Sequence, residues 1–128
     1  MAFAHKSKKV RAFLAEAALY EYAVKALGRH MRTEVELRRL IQLRAEPGEL
    51  GQAATKSVIT RLREHGYLND AAFAETYTRL RQENEKLGSR RVRQQLSQKG
   101  VPSALAQEAV DARYAGTDEE ALIGRAHV

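Results

Sequence analysis

Apolar side chains recur at spacings of three and four residues along most of the chain. This period is typical of helices that bury one face and expose the other. The first such stripe predicts a helix that ends near Gly28, and its members are Phe13, Ala17, Tyr20, Val24 and Leu27. Ala, Leu, Arg, Glu and Gln, all good helix formers, fill the long stretches between the two prolines and the scattered glycines. The pattern therefore predicts an all-α protein.

Two further helices are predicted before residue 68. One follows Thr33–Glu36, a capping box in which the Thr and Glu side chains each accept a backbone N–H. Its buried edge holds Leu37, Leu40 and Ile41. Pro and Gly then predict a loop at AEPGELG, residues 45–51. The next helix ends at His65–Gly66, and its apolar face holds Ala54, Val58, Ile59 and Leu62.

The second half of the chain predicts a similar set. A fourth helix starts after Asn69–Asp70, and its face holds Phe73, Tyr77 and Leu80. A fifth follows Gly88–Ser89 and ends at Gly100, with Val92 and Leu96 buried. Pro102 suits the first turn of a sixth helix, which we expect to end at Gly116 and to bury Leu105, Ala109 and Val110. Thr117–Glu120 is a second capping box and predicts the start of a seventh helix.

These elements repeat at a little over fifty residues. The first, second and third helices of the two halves match at offsets of 53, 55 and 51 residues. We therefore predict a basic N-terminal tail at 1–12, three-helix repeats at 13–68 and 69–116, and the start of an incomplete third repeat at 117–128. The expected fold is an all-α, elongated array of tandem three-helix repeats that can curve. The alternative is one compact bundle of six helices.

Composition excludes several classes of protein. The chain has 128 residues, of which 44% are hydrophobic and 30% charged, as in a globular protein. It has no Cys, which excludes disulfides, thiolate zinc sites and thiol nucleophiles and suits the reducing cytoplasm, where we expect the protein to act. No apolar run approaches the ~20 residues of a membrane span, and the start MAFAHKSKKVRAF lacks the apolar core of a signal peptide. No membrane partner is expected.

Residue types suited to catalysis are not grouped in the sequence. The four His residues, at 5, 30, 65 and 127, stand apart, and we interpret them as surface or helix-end residues. The segment GQAATKS at 51–57 resembles a phosphate-binding loop, but it lacks the second Gly and its Lys comes one position early. No Ser, His and acid follow one another around a glycine elbow. We therefore predict no enzyme activity, metal, cofactor or small-molecule substrate.

The net charge of +6 is unevenly distributed. Residues 1–44 and 86–113 carry +6 and +4, whereas 45–85 and 114–128 each carry −2. Both positive bands include the second helix of a repeat, and the candidate contact residues for a polyanion are Arg38, Arg39, Arg44, Arg90, Arg91, Arg93 and Lys99. The alternative is that these cations lie on solvent-exposed helix faces and bind no ligand, and that some of them pair with Glu34 and Glu36. Tyr67 is expected in the core rather than as a base-stacking residue.

Three segments resemble one bacterial family. LREHGYLNDAAFAETYTRLR at 62–81 and GSRRVRQQLSQKGV at 88–101 are similar to the signature region of the RecX regulatory proteins, which modulate the RecA recombinase. LYEYAVKALGRHMRTEVELRRLI at 19–41 resembles the family's first repeat. The resemblance implies tandem three-helix repeats that bind in the groove of the RecA filament on DNA. It further implies that they bridge RecA protomers and inhibit ATP hydrolysis, strand exchange and coprotease activity.

The expected partners are therefore the RecA filament and the single-stranded or double-stranded DNA within it. The basic second helices would face DNA or acidic RecA surface. A general nucleic-acid-binding helical module without a RecA partner is the alternative. RecX proteins usually carry a third repeat, whereas this sequence ends twelve residues after Gly116. From that difference we expect inhibition weaker than that of a three-repeat protein, or dimerisation through the exposed face of the second repeat.

Overall fold

A computed structural model describes the backbone of residues 13–127 and the side chains of residues 13–115. All the regular secondary structure in this part of the chain is helical, which confirms the all-α prediction. The helices are α1 Glu16–Arg29, α2 Glu34–Gln42, α3 Glu49–Glu64, α4 Asp70–Glu85, α5 Ser89–Gln98 and α6 Ser103–His127. The chain divides into two compact units. Each contains three helices, except that the first two residues of α2 belong to the second unit.

The first unit contains α1, α3 and the part of α2 from Glu36 onward. Its buried core is made of aliphatic side chains from all three helices, namely Leu19, Ala23, Ala26, Leu37, Ile41, Ala45, Val58, Ile59, Leu62 and Leu68. The face of α1 differs by one position from the prediction. Leu19, Ala23 and Ala26 are buried, whereas Tyr20, Val24 and Leu27 only pack against the core from its edge. Phe13 precedes the helix and is 50% exposed, and Ala17 is exposed.

The predicted loop at 45–51 is shorter than expected, because α3 begins at Glu49 within it. Gly48 precedes the helix with φ of +95°. Gly51 is buried against the loop, and a Cβ built there would lie 1.5 Å from the backbone oxygen of Glu46. No larger residue fits that position without moving the main chain. The GQAATKS segment lies in the first half of α3, so from Gln52 onward its backbone amides bond within the helix and do not form a phosphate-binding loop.

Tyr67 lies at the surface, and the prediction that it is a core residue is wrong. It is 51% exposed, and its ring meets that of Tyr20 edge to face at 6.4 Å. Tyr20 also has its hydroxyl 2.6 Å from Nδ1 of His65 and the guanidinium of Arg61 4.3 Å from its ring centroid. Leu68, the next residue, packs back on the core instead. The aromatic side chain therefore joins a surface cluster at the end of α3.

The second unit contains α4, α5 and α6, together with Thr33–Val35. Its core is Phe73, Ala74, Val92, Leu96, Val101, Ala106, Val110 and Tyr114. Asn69 caps α4 as expected, because its side chain accepts the backbone N–H of Ala72 at 2.9 Å. Tyr77 is half-buried, its ring stacks on Phe73, and its hydroxyl donates to Gln95 at 2.6 Å. Leu80 is 41% exposed, so its predicted burial is wrong.

The connection from α5 to α6 is tightly packed. Gly100 has φ of +93°, and a Cβ there would lie 2.5 Å from Cβ of Val35. The Thr33 hydroxyl donates to the carbonyl of Lys99, the residue before Gly100, at 2.7 Å. The predicted stop at Gly100 is thus confirmed, and the turn is fixed by contacts as well as by its conformation.

The predicted break at Gly116 is wrong, because α6 continues through it to His127. The seventh helix expected to start at Thr117 is therefore part of α6. A single Gly costs a helix only about 1 kcal/mol relative to Ala, which the flanking helix formers can offset. The side chains of Leu122 and Ile123, expected on that helix, lie outside the described residues.

Burial can be compared at equivalent positions of the two predicted repeats. Leu37 and Ile41 correspond to Val92 and Leu96 at an offset of 55, and all four are buried. The same offset relates Leu19 to Ala74 and Ala23 to Thr78, which are also buried. The predicted offset of 53 pairs Tyr20, Val24 and Leu27, which pack at the edge of the first core, with Phe73, Tyr77 and Leu80, of which only Phe73 is buried. The third helices keep the offset of 51, which relates buried Ile59 to buried Val110.

Candidate nucleic-acid interface

Three of the predicted contact residues lie in the first unit. Arg38 is half-buried on α2, and Arg39 beside it is exposed. Consecutive helical residues point about 100° apart, so the two guanidinium groups leave the helix in different directions. Arg44 follows α2, is exposed, and stacks its guanidinium 4.3 Å from the ring centroid of Tyr22. The structure thus does not bring these three side chains to one point.

Lys99 has a structural position. It is the C-cap of α5, where its backbone N–H donates to the carbonyls of Gln95 and Leu96, each at 3.1 Å. Its own carbonyl accepts the Thr33 hydroxyl, and its ammonium lies 5.7 Å from the ring centroid of Tyr77. The side chain is half-buried, so less of its charge reaches solvent than the sequence suggested.

The other three predicted residues lie on α5. Arg90 and Arg91 are exposed and Arg93 is half-buried. Among the residues with described side chains, none of the three guanidinium groups has a hydrogen-bond or ion-pair partner. Cations on the neighbouring helices differ, because Arg79 and Arg113 both pair with Glu83, at 3.7 and 2.8 Å. Among the Arg residues of this unit with described side chains, those without a partner therefore lie on α5.

Arg90 and Arg93 line one shallow groove between α5 and α6, with a volume of about 490 Å³. They are three residues apart and so share a face of α5, whereas Arg91 does not line the groove. The rest of the lining is polar except for one alanine, and it consists of Gln94, Ser97, Gln98, Ser103, Ala106 and Gln107. No carboxylate is among these described lining residues.

The neutral polar residues of the groove were not predicted from the sequence. Gln94, Ser97 and Gln98 follow Arg90 at spacings of four, seven and eight residues, which place them on its face of the helix. That spacing was readable from the sequence. The contribution of α6 was not, because it depends on how the two helices pack.

One lining residue of this groove, Gln107, is bonded to the carboxylate of Asp111 on the same helix. Asp111 is exposed, and its two carboxylate oxygens accept hydrogen bonds from the amide nitrogen of Gln107, at 3.0 and 3.1 Å.

A second groove, between α4 and α6, has a volume of about 600 Å³ and a different lining. Its floor includes Leu105 and Ala109, and its lining carries carboxylates as well as guanidinium groups. Of these two grooves, the one between α5 and α6 combines unpaired cations with an uncharged polar lining, as far as its described residues show.

Arg81 lies outside both grooves. A hydrogen bond with Tyr77 raises the pKa of the Arg81 guanidinium above its ordinary value, and the carboxylate of Glu85 raises it further. Arg81 also forms an ion pair with Glu85 and packs 4.7 Å from the ring centroid of Tyr77. It is therefore charged at every pH at which the protein folds, and it is held in place by its neighbours.

The histidines and carboxylates of the described residues are dispersed. Within this part of the chain, no three His, Cys, Asp or Glu side chains lie close enough to hold a metal ion. His30 and His65 are the C-cap residues of α1 and α3 and are exposed, which confirms their interpretation as helix-end residues. His5 and His127 lie outside the described side chains. None of the helices searched is long and apolar enough to span a membrane.

The fold and the site define an all-α protein of two three-helix units with exposed Arg side chains on the second helix of each. Residues 69–110 match the family model for the second three-helix domain of RecX. The Regulatory protein RecX of Deinococcus radiodurans is 37% identical over 108 residues, covering 83% of this chain and 48% of that protein. The chain belongs to the RecX family, whose curated members similar to it are named regulatory proteins rather than enzymes.

Two other RecX proteins are also similar to this chain. The Regulatory protein RecX of Geobacillus kaustophilus is 30% identical over 106 residues, covering 83% of this chain and 37% of that protein. The crystal structure of RecX from Lactobacillus salivarius matches in fold, with a TM-score of 0.70 at 22% identity, and the match covers 77% of this chain and 61% of that one. The chain thus spans half or less of the length of these curated relatives.

Proposed function

We propose that this protein regulates the bacterial RecA recombinase in the cytoplasm by binding the RecA–DNA filament and inhibiting its recombinase, ATPase and coprotease activities. The observation that carries the proposal is the 37% identity with a Regulatory protein RecX over 83% of the chain. Exposed Arg side chains on α2 and α5 support it, because guanidinium groups bind phosphates and carboxylates through paired hydrogen bonds. In this view the protein is a binding partner and catalyses nothing itself.

RecA-dependent ATP hydrolysis on single-stranded DNA tests the proposal directly. The rate is measured with increasing amounts of this protein, at fixed RecA and DNA. The expected result is a saturable loss of ATP hydrolysis. A rate that does not change at any ratio of this protein to RecA would refute the proposed function.

A general nucleic-acid-binding module is the alternative, and the exposed unpaired Arg side chains of α5 are the observation that favours it. Such a module would bind bare DNA tightly and with a steep salt dependence, and it would bind RecA–DNA filaments no better. The proposed function predicts weak binding to bare DNA at physiological salt and tight binding to the filament. Titration of both ligands over a range of salt concentrations separates the two.

Charge reversal on α5 tests which residues act. Replacing Arg90, Arg91 and Arg93 together by Glu should weaken inhibition of RecA at least tenfold without loss of helicity. Arg90 and Arg91 are exposed, half-buried Arg93 has no ion-pair partner among the described side chains, and such cations contribute little to stability. The matched control changes the charge equally on exposed residues of the first unit, and its substitutions are Lys25→Glu, Arg29→Glu and Lys56→Glu. Equal inhibition by the α5 variant and the unmodified protein would remove these residues from the binding surface.

A further inference from the structure

The groove between α5 and α6 combines features that the charge pattern alone does not show. Arg90 and Arg93 reach it from one helix, and neither has an ion-pair or hydrogen-bond partner among the described side chains. Ser97 and Ser103 supply hydroxyl groups from its two walls. The groove is therefore concave, positively charged and able to donate several hydrogen bonds.

The polar lining distinguishes between two anionic ligands. The centre of a protein–protein interface is usually apolar or aromatic, whereas interfaces with nucleic acid are polar and positively charged. In this groove Ala106 is the only apolar residue of the described lining, and it is 1% exposed. An acidic protein segment would find cations here but little apolar surface to bury.

Phosphate and sugar contacts match the available groups. Arg and Lys, Ser and Gln side chains and backbone N–H groups make most hydrogen bonds to nucleic-acid backbones, and these contacts carry no sequence preference. Gln94 and Gln98 lie one turn apart on the groove face of α5 and can bond to phosphate or sugar. Gln107 has its amide group bonded to Asp111, so this side chain is less available to an anion than Gln94 and Gln98.

We propose that the α5–α6 groove binds the phosphodiester backbone of nucleic acid through Arg90, Arg93 and the Ser and Gln side chains that line the groove with them. The inference rests on the proposed function, because it assigns the DNA of the filament, rather than the RecA protein, to this groove. No base-specific contact is required.

A short oligothymidylate at low salt is the probe. Its affinity is measured by fluorescence anisotropy, and its site is located by NMR from the backbone amide shifts of the isotopically labelled protein. Ser97 and Ser103 should show large shifts. Arg90→Glu with Arg93→Glu should lower the affinity at least tenfold. The control, Lys25→Glu with Arg29→Glu, changes the charge equally at exposed residues and should stay within about twofold of the unmodified protein.

Two comparisons separate the backbone from other ligands. An oligonucleotide with an uncharged methylphosphonate backbone should fail to shift the groove amides. An oligoglutamate peptide should bind more weakly than the oligothymidylate.

Asp111→Asn should tighten oligothymidylate binding about two- to threefold, because it removes a negative charge next to the lining residue Gln107 and keeps an acceptor for its amide. A gain in affinity cannot result from a folding defect.

Four results would overturn the inference. These are equal losses in the groove variant and its control, equal binding of the uncharged oligonucleotide, equal or tighter binding of oligoglutamate, and amide shifts confined to residues outside the groove. The ATPase titration keeps this inference separate from the proposed function. If the protein inhibits RecA but the groove does not bind DNA, only the groove assignment fails. If the groove binds DNA but RecA is unaffected, only the proposed function fails.

Discussion

Gly100 offers a sharp test of the packing in the second unit. Its φ of +93° lies in the region that residues with a side chain rarely adopt, and an Ala there would place its Cβ 2.5 Å from Cβ of Val35. The left-handed backbone costs an L-residue about 1–2 kcal/mol. Overlap with a packed neighbour costs about 1–3 kcal/mol more. Gly100→Ala should therefore lower the free energy of unfolding by about 2–5 kcal/mol.

Gly66→Ala is the matched control. Gly66 also has a positive φ, of +81°, but a Cβ there meets no atom within 4 Å. Only the backbone cost applies, so the expected loss is about 1–2 kcal/mol. Urea denaturation followed by circular dichroism measures both variants. The difference between the two losses estimates the cost of the overlap with Val35.

A double-mutant cycle isolates that overlap. Val35→Gly removes the Cβ that is nearest to the added methyl group, whereas Val35→Ala would leave it in place. In the Val35→Gly background, Gly100→Ala should cost only the backbone part, and the coupling between the two positions should be about 1–3 kcal/mol. If Gly100→Ala costs no more than Gly66→Ala, or the same with and without Val35, the contact is not what restricts this position.

Two other substitutions test the cores in the same assay. Gly51→Ala should destabilise the first unit by about 3 kcal/mol, because its Cβ would overlap the Glu46 carbonyl, whereas Gly28→Ala, with open space around it, should be neutral or stabilising. Leu96→Ala should cost about 2–5 kcal/mol, because Leu96 is fully buried, whereas Leu80→Ala, at a position 41% exposed, should cost less than about 1 kcal/mol. Equal losses within either pair would contradict the burial on which they are based.

Helix boundaries could be predicted well because they depend on short-range chemistry. Asn69 caps α4 through an amide three residues away, and Gly66 and Gly100 end their helices with a positive φ. Each of these signals lies within a few residues of the helix end it specifies. Gly116 is the exception, because Gly in a helix interior is unfavourable but tolerated, and α6 continues through it.

The buried faces were harder to predict because they depend on the packing partner. In α1, Leu19, Ala23 and Ala26 form one apolar stripe, and Tyr20, Val24 and Leu27 form a second beside it. Both have helical spacing, and only contact with the other helices decides which one is buried. Leu80 continues the stripe of α4, but it lies where no neighbouring helix covers it sufficiently. Periodicity identifies an apolar side without determining its centre.

Charge counting had a similar limit at the candidate site. The sums along the chain identified Arg90, Arg91 and Arg93 equally, although only two of them line the groove. Helical spacing separates Arg91 from the other two, and the Ser and Gln side chains of α6 become visible only once α5 and α6 are packed together. Charge alone also counted Arg113, which the structure pairs with Glu83.

Because α6 lines two different grooves, mutation can separate the proposed DNA binding from the proposed inhibition of RecA. One face of this helix presents Ser103 and Gln107 to the basic groove, and another presents Leu105 and Ala109 to the groove shared with α4. Because the two grooves share no described lining residue, substitutions at Arg90 and Arg93 leave the α4–α6 groove unchanged. A variant that no longer binds DNA but still inhibits RecA would therefore show that inhibition requires protein contacts made elsewhere. Loss of both together would show that the DNA contact is required for inhibition.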